Sequence, residues 1–383
     1  MHYLDHNATS PLRPESLSAV THALAVGGNP SSIHARGRAA RVVMEEAREK
    51  IAGLVHAKAD TVIFTSGATE ANNLALFGAV EGSLAEGETR ITRVFVSTIE
   101  HSSVLATADR LAERFPWVRV VRLAVTADGV IDLEGLRVAL REGKGRALVA
   151  VMAANNETGV VQPIAEVSKL VREAAGLLLV DAVPAAGKID LDFSLCDYMV
   201  LSAHKLAGPQ GVGALVVREG APLQPQLVGG GQQKGLRAGS ENLSGIAGFG
   251  AAAHAAADGE GERARIAHLR DHFESGLKQA IPETVIFGAA RLCSTSCFAI
   301  PGLAAETALI GLDLDGVMMS SGSTCSSGKV SVSHVLAAMG VEEKLAACAL
   351  RASFGWSSTM EDVNAALQSL IKLRGRARAK VAA

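Results

Sequence analysis

The chain has 383 residues, of which 48% are apolar and 20% are charged, so it is long enough for two domains and can bury a large core. The 37 basic and 39 acidic side chains nearly cancel, and aromatic residues make up only 4%. This composition excludes disorder of the whole chain and argues against nucleic-acid binding through net positive charge or aromatic stacking. We therefore expect no direct contact with nucleic acid.

The sequence predicts a soluble, cytoplasmic protein without metal or membrane segments. Residues 1–7 lack the basic and apolar stretches of a secretory signal, and the longest apolar run, 147–154, is shorter than the ~20 residues that span a bilayer. Five cysteines are too few for a disulfide framework in a chain of this size. Cys293 and Cys297 lack a second ligand pair for zinc, so we place both in a buried strand over 295–300.

Strand patterns alternate with amphipathic helix patterns over the first part of the chain. Strands are predicted over 62–64, 94–96, 118–123, 148–151, 177–180, 198–201 and 214–217. Helices are predicted over 70–80, 102–114, 132–141 and 164–175. This order predicts an α/β fold with three layers around a mostly parallel sheet, whose strand carboxyl ends carry the chemistry.

The pattern changes near residue 245. One long Ala-rich helix is predicted over 246–272, followed by short strands and by helices over 304–312 and 361–374. We interpret this part as a second, smaller α+β domain hinged on the long helix.

Two residues at predicted strand ends suggest pyridoxal 5'-phosphate chemistry. Lys205 follows the strand 198–201 in a Ser-Ala-His-Lys sequence, where its amine could bind a carbonyl cofactor, although most loop lysines are simply exposed. Asp181 follows the strand 177–180, and a buried carboxylate there needs a cationic partner such as a pyridinium nitrogen. The two residues together form the Asp/Lys pair that such enzymes need.

The segment 65–70 is a candidate phosphate site. It follows the strand 62–64 and opens a helix pattern, so its amides and the hydroxyls of Ser66 and Thr69 can bind an anion, although an ordinary helix cap looks the same. A nucleotide loop is not supported, because the stretch 322–329 has the wrong glycine spacing for a Walker A motif.

Two further polar residues follow strand patterns. His101 lies past the strand 94–97 and could stack on a cofactor ring or move protons, although most such histidines are ordinary loop residues. Asn156 could hydrogen-bond a ring substituent or merely form the turn.

Two candidates for the substrate lie late in the chain. Cys325 stands in a Ser- and Gly-rich stretch, 320–329, where a structural cysteine is unusual, so a reactive thiol is one interpretation. Arg351 lies among small and apolar residues and could bind a substrate carboxylate or form a structural salt bridge.

Six segments together resemble the NifS-like cysteine desulfurases, in the family's order from residue 4 to about residue 357. The segments are 4–9, 28–34, 65–73, 155–160, 202–205 and 320–325. The resemblance implies a pyridoxal 5'-phosphate enzyme of fold type I in the class V aminotransferase superfamily. Such enzymes take sulfur from L-cysteine, release L-alanine and hold the sulfur as a persulfide. The implied large domain covers 15–250, and the small domain joins 1–14 to 251–383.

The resemblance also implies roles for the residues that would bind the cofactor. Lys205 would bind the cofactor covalently and remove the substrate's α-proton, Asp181 would contact the ring nitrogen, and His101 would stack on the ring and move protons. Asn156 would contact both cofactor and substrate. The phosphate would lie against Ala68, Thr69, Ser202 and His204.

The remaining implied roles concern sulfur and partners. Cys325 would be the nucleophile that accepts sulfur and passes it to an acceptor or iron–sulfur scaffold protein, with a transient contact to a cluster as its only metal contact. Arg351 would bind the carboxylate of L-cysteine. Ser240 would reach the phosphate of a second subunit, which implies a homodimer.

One position departs from the family pattern. Pro184 stands where many relatives carry a glutamine that hydrogen-bonds the cofactor's ring oxygen, and proline has no donor. Two alternatives to a desulfurase stay open at this point: a selenocysteine lyase or other β-eliminating relative, and a cofactor-bound scaffold with little activity. Release of alanine and sulfide from cysteine distinguishes the three.

Overall fold

A computed structural model describes residues 1–85, 87–257, 259–322 and 332–382. The described residues form twelve strands: β1 (His2–Tyr3), β2 (Val62–Thr65), β3 (Ile91–Ser97), β4 (Arg119–Leu123), β5 (Arg146–Ala150), β6 (Leu177–Asp181), β7 (Tyr198–Ser202), β8 (Gly213–Val217), β9 (Val285–Ile286), β10 (Thr295–Ala299), β11 (Val317–Met318) and β12 (Ala349–Ser353). They also form twelve α-helices: α1 (Pro14–Val26), α2 (Ala35–Leu54), α3 (Ala68–Gly82), α4 (Ser102–Arg114), α5 (Leu133–Arg141), α6 (Ile164–Glu173), α7 (Leu243–Ala257), α8 (Glu260–Ala280), α9 (Ala305–Leu314), α10 (His334–Ala338), α11 (Glu343–Ala346) and α12 (Met360–Ala382).

Seven strands form the central sheet in the order β2–β8–β7–β6–β5–β3–β4. Strand β8 is antiparallel to both of its neighbours, and the other neighbouring pairs are parallel. The predicted mostly parallel sheet is therefore confirmed. Because β8 reverses direction once, β2 runs the same way as β7, and their carboxyl ends lie at the same edge.

Helices cover both faces of this sheet, because the strands are apolar on both sides. Along β3, Val94 and Val96 pack into the core that contains residues of α3 and α4. Phe95 points to the opposite core, which contains residues of α2, α6 and α7. This alternation of side chains fixes the register of the strand between the two helical layers.

A smaller α+β part, as predicted, lies beside the large sheet. Strands β12, β10 and β9 form an antiparallel sheet, and β1 pairs with β11 in parallel. Its core joins Leu4 near the N-terminus to Phe273 on α8, Phe298 on β10 and Phe354 after β12. The N-terminal segment therefore belongs to this core although it is distant in sequence.

The prediction of one long helix over 246–272 is wrong. Helix α7 ends at Ala257, and α8 begins at Glu260 with Gly259 as its N-cap residue. Glycines at 259 and 261 weaken a continuous helix, and the Ala-rich periodicity conceals this interruption. Helix α7 packs on α1 and α2, whereas α8 packs on α12. We therefore propose that the domain boundary lies between these two helices rather than at residue 250.

Candidate active site

The carboxyl ends of β2, β3, β5, β6 and β7 surround one cavity of about 740 Å³. A cavity of this size accommodates a small molecule or cofactor. The carboxyl end of β2 reaches the cavity because the first residue of β8 packs closely against the turn that follows β2. A Cβ atom at Gly213, the first residue of β8, would lie only 2.8 Å from backbone atoms of Gly67. Glycine at position 213 thus brings the start of α3 against the cavity wall.

Lys205 and Asp181 lie at the ends of neighbouring strands and line the same cavity. Asp181 ends β6, where it is paired in register with Val200 of β7, and Lys205 lies in the short 3₁₀ turn that follows β7. The Nζ atom of Lys205 donates hydrogen bonds to the backbone oxygens of Asn7 and, at 2.7 Å, of Ala8. The predicted Asp/Lys pair is therefore brought together in space.

The Asp181 carboxylate is held by two donors. It is only 4% exposed. Its Oδ1 accepts the backbone N–H of Val183 at 3.0 Å, and its Oδ2 accepts Nδ2 of Asn72, also at 3.0 Å. Because both oxygens are oriented and buried, the carboxylate can serve as the fixed anionic partner of a cationic ring nitrogen.

His101 is the N-cap residue of α4 and is connected to the same donors. Asn72 Nδ2 also lies 3.0 Å from Ser103 Oγ, which lies 2.8 Å from Nδ1 of His101. The backbone N–H of Ser103 donates to that Nδ1 at 3.1 Å. Burial lowers the pKa of His101, and the charge of Asp181 only partly opposes this shift. The ring is therefore neutral at pH 7 and carries its proton on Nε2.

The opposite end of the cavity offers donors for an anion. Helix α3 begins there without a side-chain cap, so the amides of its first turn, at Ala68 and Thr69, have no intrahelical partner. Ser202 and His204 line the same cavity. Burial, followed by the Lys205 charge, lowers the pKa of His204 to about 4, so its ring is neutral.

Arg351 forms a structural salt bridge, which was one of the two roles considered for it, and it also lines the cavity. Its side chain is buried and lines the cavity, and its Nη2 forms a 2.8 Å salt bridge with Asp5. Its Nη1 donates to the backbone oxygen of Asn156 at 3.1 Å. Its Nε has no hydrogen-bond partner among the residues that the structure describes. Asn156 itself also lines the cavity.

Two candidates are not brought into the cavity of this single chain or are not described. Cys325 lies outside the described residues, so its predicted role is not tested by the geometry. Ser240 is exposed and is not part of the cavity wall. Cys297 lies buried on β10, but Cys293 precedes that strand, so the prediction that both lie in the strand is wrong for Cys293.

Glu100 is a buried residue beside the site that the sequence did not single out. Its side chain is 0% exposed, its Oε1 accepts the backbone N–H of Met152 at 2.7 Å, and its Oε2 has no partner within the described ranges. Burial raises the pKa of Glu100 well above its ordinary value, and the neighbouring charge of Asp181 raises it further. The only feature of the sequence that could have pointed to Glu100 was its position directly before His101.

Glu157 is a second buried acid that was missed. Its Oε2 accepts the hydroxyl of Ser333 at 2.5 Å, and a Cβ atom at Gly322 would lie 2.2 Å from the same oxygen. Burial raises the pKa of Glu157, so the carboxyl group favours its neutral form. Glu157 therefore touches both flanks of the segment 323–331, although the motif gave no hint of contacts so far away in sequence.

Asn7, Asn72 and Lys188 also belong to the site without having been predicted. Asn7 and Lys188 line the cavity, and Asn72 holds Asp181. Asn7 and Asn72 stand in segments that support the family resemblance, and this was the one available signal for them.

None of the helices in the described ranges is both long and apolar enough to cross a membrane.

Comparisons with known proteins agree with this geometry. The class-V aminotransferase family matches residues 2–366. A cysteine desulfurase of Cereibacter sphaeroides is 41% identical, covering 96% of this chain and 94% of its own. An IscS-like cysteine desulfurase of Mycobacterium tuberculosis is 39% identical, covering 99% and 97%. A solved NifS-like protein is 33% identical with a TM-score of 0.89, covering 98% of this chain and all of its own. A structure titled SspA in complex with cysteine is 28% identical, with a TM-score of 0.78, covering 94% of this chain and 100% of its own.

Proposed function

Because this chain belongs to the class-V aminotransferase family, and within it to the cysteine desulfurases, we propose that Lys205 holds pyridoxal 5'-phosphate in the cavity and that L-cysteine binds beside it. The chain is a pyridoxal 5'-phosphate-dependent enzyme that takes sulfur from L-cysteine and releases L-alanine. The observation that carries the residue assignment is the position of Lys205 and Asp181 at the ends of two neighbouring strands that line one cavity.

The residues present fit this cofactor chemically. The buried Asp181 carboxylate suits a protonated ring nitrogen, because a buried anion needs a cation. The uncapped start of α3 at Ala68 and Thr69, with Ser202 beside it, suits a phosphate. The neutral His101 ring in the wall suits stacking on an aromatic ring.

The protein groups then position the substrate and move protons. When bound, the cofactor supplies an electron sink that weakens the bonds at the substrate's α-carbon. The amine of Lys205 would take the α-proton, and the Asp181 carboxylate would hold a proton on the ring nitrogen. His101 can donate from Nε2, because its Nδ1 is already occupied by Ser103. Arg351, which lines the cavity, would orient the substrate carboxylate.

Cys325 completes the reaction in this proposal. As a thiolate, its Sγ attacks the substrate sulfur and forms an S–S bond while the carbon–sulfur bond breaks. The electron pair of that bond stays with the substrate carbon, which takes up a proton, and the Lys205 amine would return a proton to the α-carbon before L-alanine leaves. The sulfur remains on Cys325 as a persulfide, ready for transfer to an acceptor thiol or an iron–sulfur scaffold protein.

Assembly and location extend the proposal. We propose a homodimer in which the exposed Ser240 of one subunit reaches the phosphate of the other. The four cysteines in the described ranges are free thiols, which suits the reducing cytoplasm that we propose as the site of action. Chemical cross-linking and sedimentation test the dimer, and a Ser240→Ala variant should bind the cofactor more weakly without dissociating.

The proposed residues are tested with the purified protein and added pyridoxal 5'-phosphate. Lys205→Ala should lose the yellow absorption of the lysine-linked cofactor while its circular dichroism stays that of the parent. Cys325→Ser should still show a spectral change with cysteine but release neither alanine nor sulfide.

A matched control is Cys348→Ala, which removes a buried thiol and should lower stability more than turnover. Full turnover in the Cys325→Ser protein would assign the sulfur to another thiol. A parent protein that gains no absorption with the cofactor would refute the role of Lys205.

A further inference from the structure

Lys188 is a second lysine in the cavity wall, and no role has been assigned to it so far. It ends the turn that follows β6, and its Nζ donates a 3.0 Å hydrogen bond to the carbonyl oxygen of Pro184. Lys188, Pro184 and Lys205 all line the large cavity. Lys188 and Lys205 also line a second cavity of about 40 Å³. The Lys188 side chain therefore stands in the wall between the two cavities.

Two other charged side chains of this wall have partners of opposite charge. Arg351 is paired with Asp5 at 2.8 Å, and Glu70 is paired with Arg237 at 2.8 Å. Among the described residues, no carboxylate lies within ion-pair distance of Lys188. Its one hydrogen bond, to a carbonyl oxygen, leaves two of its three N–H donors for other acceptors.

The surroundings of Lys188 make an uncompensated charge unfavourable. Burial lowers the pKa of Lys188 to about 8; the nearby Cys293 opposes this shift, and the charge of Arg351 adds to it. The charge of Lys188 in turn helps to lower the pKa of His6. At neutral pH the amine is still mostly protonated, and an anionic acceptor in the cavity would relieve the cost of its burial.

We propose that Nζ of Lys188 binds an anionic oxygen of the ligand in the large cavity, and that this oxygen is the ring oxygen of pyridoxal 5'-phosphate. The inference rests on the cofactor and activity proposed above. The hydrogen bond to Pro184 holds the amine near the wall that follows Asp181, the carboxylate assigned to the ring. Proline offers no donor of its own there, so Lys188 supplies the cation for this side of the ring. The carboxylate of L-cysteine is the other ligand group with the same chemistry, because Arg351 lies nearby.

The test compares Lys188→Met with Lys188→Arg in the full-length protein loaded with pyridoxal 5'-phosphate. A cation beside the cofactor ring favours the form of the bound cofactor that carries one proton fewer. Its removal in Lys188→Met should therefore raise the pH midpoint of the cofactor absorption by about one unit or more. The affinity for the cofactor should fall about tenfold. Lys188→Arg keeps the charge and should keep both values near those of the parent.

The two possible ligand groups are separated by measuring the affinity for L-alanine. Removal of a ring-oxygen contact shifts the absorption midpoint without added amino acid. If the midpoint is unchanged but L-alanine binds about tenfold more weakly, Lys188 contacts the substrate carboxylate and the ring-oxygen assignment is overturned. If neither value changes by more than twofold, the whole inference is overturned. A parent that binds no cofactor would instead refute the proposed function.

A second measurement avoids dependence on the folding of Lys188→Met. Above pH 8, the parent should bind the cofactor progressively more weakly as Lys188 loses its proton, whereas Lys188→Arg should not show this additional loss. Titration of the neighbouring Cys293, His6 and Lys205 is common to both proteins, and Arg351 keeps its charge throughout. Parallel pH profiles of the two proteins would contradict a role for the Lys188 charge.

Discussion

Glu100 places a buried carboxyl group beside the site, and the charge that acts on it is that of Asp181, which has the same sign. Its Oε1 accepts one backbone N–H, and its nearest charged neighbour is the Asp181 carboxylate, which has the same sign. Two carboxylates close together in a buried site do not both ionise easily, and burial disfavours the charge of Glu100 in any case. A protonated Glu100 adds no second negative charge beside Asp181, the carboxylate that we propose contacts the cofactor ring.

This arrangement makes Glu100→Gln a stabilising substitution at high pH. The pKa of Glu100 is raised in the folded protein, so folding binds a proton between the ordinary carboxyl pKa of 4.5 and the raised value. The stability contributed by this proton is present below pH 4.5 and is lost as pH rises. We expect Glu100→Gln to exceed the parent in urea midpoint at pH 8 and to lose this advantage toward pH 4.5.

The matched control is Glu100→Ala, which removes the acceptor of the Met152 N–H as well as the charge and should destabilise at every pH. A Glu100→Gln midpoint that differs from the parent by the same amount at both pH values would mean that Glu100 is ionised in the folded protein.

At the scale of elements, Glu157 connects two chain segments that are distant in sequence from it. Ser333 donates to its Oε2 and also caps α10 by accepting the N–H of Leu336 at 3.1 Å. Gly322 approaches the same oxygen so closely that no larger residue fits. The residues on both sides of the segment that contains Cys325 are thus fixed to the turn after β5.

Gly322→Ala should therefore slow sulfur transfer without affecting the cofactor. An added Cβ would lie 2.2 Å from Glu157 Oε2, so the flank or the carboxyl group must move. We expect alanine release to fall about tenfold or more while the absorption of the lysine-linked cofactor is unchanged, because a small displacement of a reacting group is enough for such a loss.

Two further variants make this prediction specific. Gly53→Ala, at a helix position where an added Cβ meets nothing within 4 Å, should leave turnover unchanged. Adding Glu157→Ala to Gly322→Ala removes the clash, so the double variant should be less impaired than the product of the two single effects predicts. Strictly multiplicative losses would exclude a direct contact between the two positions.

For the whole molecule, the N-terminal segment joins the small core to the cavity. His6 lies between Leu4, which belongs to the small core, and Asn7, which lines the cavity. Its Nδ1 lies 2.8 Å from Ser10 Oγ, and a Cβ atom at Gly355 would lie only 2.0 Å from that nitrogen. A ring packed this tightly has no room for the water that a charged imidazolium needs.

The resulting pH dependence has a definite sign. Burial lowers the pKa of His6 to about 4 from the ordinary 6.5, so unfolding takes up a proton between these values. The stability contributed by the neutral ring is present above pH 6.5 and is lost as pH falls toward 4. Relative to His6→Gln, the parent should lose up to about 3 kcal/mol of unfolding free energy across this window.

Denaturant unfolding of both proteins at several pH values between 4 and 7 checks this expectation, and the difference between them removes the contributions of the other titrating groups. A constant difference across the window would show that the pKa of His6 is the same in the folded and unfolded states.

The sequence predicted the parts of this molecule that depend on local pattern. The strands before Asp181, His101 and Lys205 were identified from short apolar runs, and their polar followers meet at one sheet edge because parallel strands end there. The helix interruption at Gly259 was missed because alanine periodicity continues past it. Asn72 could not be predicted either, since it reaches Asp181 across 109 positions of sequence. Long-range contacts of this kind exist only once the chain is packed.

The central sheet ends on one side at β4, and no strand among the described residues pairs with its outer edge. Such an edge can template the addition of further strands and lead to aggregation. Here Arg119 and Arg122 project from β4 as exposed charges, and Arg122 is held by the Asp109 carboxylate of α4. A second β4 edge would bring these cations into direct repulsion. We therefore expect the arginines of β4 to disfavour edge-to-edge pairing at high protein concentration.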